Sequence, residues 1–96
     1  MRMLEQNPVN PTYMYLRGLQ GQAYQWLGRT HAELARSASS TDARQRWQTA
    51  HEMFKRSVDI WQDLRSRGTL AADDAVKLEE TLGEIAQCDA ALNTSR

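Results

Sequence analysis

The 96-residue chain has one cysteine, Cys88, and two prolines, Pro8 and Pro11, both near its start. A single cysteine excludes an internal disulfide and a cysteine-rich zinc site. The absence of proline beyond residue 11 leaves the rest of the chain open to long helices. No apolar run approaches the ~20 residues that span a bilayer, and the opening "MRMLEQNPVN" lacks the apolar core of a signal peptide. Net charge is zero, which argues against a general binder of nucleic acid or anionic membrane. The expected setting is cytoplasmic, with neither a membrane nor a nucleic acid as partner.

The charge that is present is unevenly placed. Residues 1–56 carry eight basic and four acidic side chains, and residues 57–96 carry four basic and eight acidic ones. Such a dipolar chain can dock its own halves together or orient a partner, and solvated helix faces give the same pattern.

Three helices read out from apolar spacing. Asn10 is a good N-cap and Pro11 suits the first helical position. Tyr13, Leu16, Leu19 or Gln20, Ala23, Tyr24, Leu27, His31 and Leu34 then recur at three and four, to about Ala35 or Arg36. Gly18, Gly21 and Gly28 each cost this helix about 1 kcal/mol relative to Ala, so close approach of a neighbour should compensate. A Ser- and Thr-rich loop follows, and Asp42 with Gln45 resembles a capping box. The second helix carries Ala43, Trp47, Ala50, Phe54, Ser57, Val58, Trp61 and Leu64, and Gly68 should supply its left-handed stop near Arg67. The third opens with Asp73 and Asp74 in its first turn, where the helix dipole favours carboxylates. Its apolar stripe is Ala75, Leu78, Leu82, Ile85, Ala86 and Leu92. The expected fold class is all-α, a long antiparallel helical hairpin plus a C-terminal capping helix. The hairpin should bury Tyr24, Leu27, His31, Trp47, Ala50, Phe54, Val58 and Trp61, closed by Leu78, Leu82 and Ile85.

The hairpin resembles a tetratricopeptide repeat (TPR). Tyr24, Leu27, Gly28 and His31 fall on the aromatic–Leu-Gly–aromatic positions of its first helix, and Ala50, Phe54 and Ser57 on the small–aromatic–small positions of its second. In that motif the glycine lets two backbones approach, with Ala50 expected opposite Gly28 and the aromatics filling the space between turns. "LEQNPVNPTYMYLRG" is similar to a junction between repeats, and an alternative register would use Gly18 in place of Gly28. The link from Leu27 to Ala50 is longer than a repeat of about 34 residues allows, and no proline ends the second helix. The segments "AYQWLGRTHAELA", "MFKRSVDIWQDLRSRGTLAADDA" and "EIAQCDAAL" resemble the C-terminal end of repeat arrays attached to bacterial serine/threonine protein kinases. No kinase motif is present: no Gly-rich phosphate loop, His-Arg-Asp or Asp-Phe-Gly. The resemblance implies an accessory scaffold or regulatory piece. Residues 1–10 would be the stub of a preceding repeat or a flexible N-terminus, 11–92 the three-helix domain, and 93–96 a disordered tail.

Candidate chemistry is sparse. His31-Ala32-Glu33 and His51-Glu52 lack the second histidine that a zincin motif requires. Asp73-Asp74 and Glu79-Glu80 are adjacent on a helix and point about 100° apart, so neither pair converges on a substrate. Cys88 lies toward a helix C-terminus, where the dipole opposes a thiolate. Arg29, Arg36, Arg44 and Arg46 cluster near the first interhelical turn without interleaved aromatics, and suit an acidic peptide or the acidic third helix. No enzyme activity, metal or cofactor is expected.

Trp26, Arg29, Met53, Arg56 and Ile60 lie on or beside faces where a further repeat or a partner would sit, and are the candidate partner-binding residues. The favoured function is a non-enzymatic protein–protein interaction module binding a protein or peptide, and self-associating through the first helix as a homo-oligomer. The alternatives are a purely structural self-associating bundle, and a small-ligand binder that would join His31, His51 and Cys88 in one polar pocket.

Overall fold

The computed structural model describes residues 11–94; the segment read as a stub or flexible N-terminus, 1–10, lies outside them, as do the last two residues of the tail, 95 and 96. The described residues form three helices and no strand: α1 (Pro11–Ser37), α2 (Ser40–Ser66) and α3 (Ala72–Thr94). The fold is all-α. Asn93 and Thr94 belong to α3, so the helix runs past the expected boundary at residue 92.

The two connections are short and differently built. Only Ala38 and Ser39 separate α1 from α2, which makes the pair an antiparallel hairpin. Ser39 is the N-cap of α2, in an extended conformation and without a side-chain cap hydrogen bond. Asp42 therefore sits inside the first turn and complements the helix dipole rather than opening a capping box. At the other end Gly68 adopts a positive φ of 72°. The Thr69 N–H donates to Leu64 O and the Gly68 N–H to Arg65 O, both at 2.9 Å. This is the six-to-one and five-to-two pairing of a Schellman stop, which satisfies carbonyls that the helix end would otherwise leave open. The chain then reverses into α3, with Leu70 packed against the core.

The particle measures 47 × 25 × 17 Å. Helices α1 and α3 both pack on α2, and α1 also reaches α3 directly through side-chain bridges. Helix α2 is the middle one; α1 and α3 touch each other far less than either touches α2. A middle helix must be apolar on two sides, and α2 buries Ala50, Phe54, Ser57, Val58, Ile60, Trp61 and Leu64. One cluster joins Val58, Ile60, Trp61, Leu64 and Leu78. The other joins Ala32, Ala50, Phe54 and Cys88.

Helix α1 is rotated relative to its expected apolar stripe, while its glycines face a neighbour as expected. Its buried positions are Gly18, Gly21, Gln25, Gly28, Ala32 and Ala35, spaced three and four apart. Leu16, Leu19, Leu27 and Leu34 are exposed instead, Leu27 by 46%. The reason lies in α2. The indole of Trp61 and the ring of Phe54, fully or almost fully buried, occupy the space beside Gly21 and Gly28. An added Cβ at Gly28 would lie 2.5 Å from Phe54 Cδ1, so the aromatic ring itself packs against this glycine. Ala50, expected in that role, instead clusters with Ala32, Phe54 and Cys88. Tyr24, His31, Trp47 and Ile85 are half-buried, and Leu82 on α3 is exposed, where the sequence reading placed all five in the core.

Candidate functional site

The side of α1 that faces away from the hairpin carries Tyr15, Leu16, Leu19, Trp26, Leu27 and Leu34, all exposed, with Trp26 at 68%. These six side chains present on the order of 600–700 Å² of largely apolar surface, at or above the ~300–600 Å² of the largest patch on a typical monomer. The face is nearly free of charge. Its one carboxylate, Glu33, accepts a hydrogen bond from Arg36 at 2.6 Å on the same helix. Thr30 turns its hydroxyl back to Trp26 O at 2.9 Å, which removes a polar hydrogen from the surface.

The opposite flank of α1 holds α3 through long polar side chains. Arg29 Nε donates to Glu84 Oε2 at 2.6 Å, and Arg29 Nη2 reaches Glu80 at 3.5 Å. The hydrogen bond to Glu84 raises the guanidinium pKa further and fixes its charge. Gln25, itself buried, donates from Nε2 to Glu84 Oε1 at 3.2 Å. Gln22 donates to the buried Asp74 at 3.3 Å. Between these bridges and the hairpin lies a cleft of about 270 Å³, with Trp47 and Phe54 in its lining and Arg36 stacked 5.4 Å from the Trp47 ring centroid. Its charged lining is already paired, Arg29 with Glu84 and Arg36 with Glu33.

The five residues selected from sequence do not form one surface. Trp26 stands on the exposed face. Arg29 is committed to Glu84 and Glu80. Met53 is half-buried. Arg56 is exposed but held by Glu52 at 2.9 Å, and lies 5.8 Å from the Tyr24 ring centroid. Ile60 is a core residue, 6% exposed, because α2 is covered on both sides. The exposed leucines escape a reading by periodicity because their spacing is as helical as that of the glycines. The small-residue stripe marks the side that meets the neighbour, and the leucines about a third of a turn away are left outside it.

The three residues of a supposed ligand pocket go separate ways. The Arg46 guanidinium donates to His31 Nδ1 at 3.2 Å. His51 Nε2 meets Asp89 Oδ1 at 3.1 Å, tying α2 to α3. Cys88 is buried among Ala32, Ala50 and Phe54, and burial pushes its thiol up to about 11, with Asp89 and Glu84 adding to the effect. Such a thiol is a poor nucleophile at neutral pH. Among the described residues no group of three or more His, Cys, Asp or Glu side chains is placed to hold a metal ion, and no helix is long and apolar enough to cross a membrane. Compared with protein-family models, curated proteins and solved structures, the chain matches none.

Proposed function

We propose that this chain is a non-enzymatic protein-docking module of TPR-like type, and that the outward face of α1 is its contact surface. The observation that carries the reading is the apolar patch of Tyr15, Leu16, Leu19, Trp26, Leu27 and Leu34 on a helix whose other side is already packed. Water contact with so much apolar surface is unfavourable by ~25 cal/mol per Å², and a second protein chain removes it. Aromatic and aliphatic anchors on a rigid helix suit such an interface. The TPR-like assignment draws support from the glycine–aromatic seam, with Gly28 against Phe54 and Gly21 against Trp61. Stacked repeats leave helix faces that only a neighbour can cover. The polar flank, locked by Arg29–Glu84, belongs to internal architecture in this reading.

The test compares the wild-type chain with the double variant Leu16→Lys/Leu27→Lys, after circular dichroism shows equal helicity. Association with a defined protein chain, its own or another, reconstituted from purified components and lost in the variant, is the expected result. Binding that survives both substitutions, or the absence of any associating chain, contradicts the reading.

A further inference from the structure

We infer that the occupant of this face is a second copy of the same chain, packed antiparallel about a two-fold axis that passes near residue 25. The inference rests on the docking reading above and adds the partner and its register.

Positions 16, 20, 23, 27, 30 and 34 are all exposed and recur at four, three, four, three and four. That is the seam spacing with which two helices interlock side chains. The residues are Leu16, Gln20, Ala23, Leu27, Thr30 and Leu34. Read against its own reversal, the seam pairs positions whose numbers sum to fifty. Leu16 meets Leu34, Gln20 meets Thr30, and Ala23 meets Leu27, each pair occurring twice. The ends are apolar on both sides, the two polar residues face each other, and the smallest side chain faces a large one. A parallel pairing would set Ala23 against Ala23 and leave a void, and would stack Gln20 on Gln20 and Thr30 on Thr30. The antiparallel arrangement also opposes the two helix dipoles favourably.

Area and charge agree with this occupant. Covering Leu16, Leu27 and Leu34 on the seam and Leu19 and Trp26 beside it removes on the order of 500 Å² on each copy, a total at the ~1,000 Å² that a specific interface needs. A face with a single carboxylate, already bonded to Arg36, brings no like-charge repulsion when it meets itself. Trp26 flanks the axis, where its ring is covered by the other copy.

Light scattering on the full 96-residue chain over a wide concentration range reads the state directly. Wild type is expected at twice the 11.0 kDa chain mass. Leu27→Lys, with unchanged circular dichroism, is expected at the single-chain mass. Ala23→Glu/Leu27→Lys is expected to return to the double mass, because each glutamate then faces a lysine of the other copy. A wild-type chain that stays monomeric overturns the inference and leaves the docking reading to be tested with a different chain. A wild-type dimer that persists in Leu27→Lys places the contact on another face and overturns both. A dimer lost in Leu27→Lys but not restored by the double substitution overturns the antiparallel register.

Discussion

The Trp61 indole lies where Gly21 has no side chain: a Cβ built at residue 21 would stand 2.6 Å from Nε1 and 2.7 Å from Cε2. Ser57, one turn earlier on α2, donates its hydroxyl to the Gly21 carbonyl at 2.6 Å. One glycine thus receives a ring and a hydrogen bond from the same neighbouring helix. This contact explains why α1 tolerates Gly21 in its interior, as the Phe54 ring does for Gly28.

Two glycines should respond in opposite ways to an added methyl group. Gly21→Ala forces a rigid, fully buried ring to move and should destabilise by about 1–3 kcal/mol, less the ~1 kcal/mol that alanine gains in helix propensity. A Cβ added at Gly83 in α3 would meet nothing within 4 Å, so Gly83→Ala should stabilise by about 0.5–1 kcal/mol. Urea denaturation of the two variants should therefore show midpoints that move in opposite directions.

Ser57→Ala removes a buried hydrogen bond and leaves the Gly21 carbonyl without that partner. A loss of about 1 kcal/mol is expected, with the helical content of the folded state unchanged.

Much of the fold was legible because its signals are local. Gly68 marked the end of α2, Asp73 and Asp74 marked the start of α3, and the spacing of Phe54 and Trp61 marked the buried side of α2. The glycines of α1 showed which side meets a neighbour, but the exposure of its leucines was not legible in the same way. Its leucines and its glycines have equal helical periodicity, and only the size of Trp61 and Phe54 on the facing helix decides which side turns inward. Ile60 lies in the core for a related reason: no local pattern says that a helix has neighbours on both sides. The α1–α3 bridges span more than fifty residues of sequence, and their only trace is the basic first half and acidic second half.

Those bridges should be unequal in worth. Arg29 is partly exposed, so Arg29→Ala should cost only about 0–1 kcal/mol, and less at high salt. Glu84→Ala should cost more, because it also orphans the buried Gln25 amide. A double-mutant cycle on Arg29 and Glu84, measured by denaturation at two ionic strengths, checks both statements.

Cys88 gives a pH signature. Burial moves its thiol from 9.0 to about 11, so above pH 9 the unfolded chain releases a proton that the folded chain keeps. The stability linked to this group is complete below pH 9 and falls as pH rises toward 11. Relative to Cys88→Ala, wild type should lose about 2 kcal/mol across that window. Thiol-labelling reagents at neutral pH should react only after denaturant is added.

Burial of the glycine side of α1, with its leucines outward, underlies the docking surface, and two adjacent residues test it. Leu27 and Gly28 point about 100° apart on the helix, one exposed and one against Phe54. Denaturation of Leu27→Lys and Gly28→Ala, at the lowest protein concentration the signal permits so that association does not contribute, compares the two sides. Leu27→Lys should stay within about 0.5 kcal/mol of wild type, while Gly28→Ala should lose about 1–3 kcal/mol less a partial gain in propensity. A folded, unaffected Gly28→Ala beside an unfolded Leu27→Lys would contradict this packing of α1.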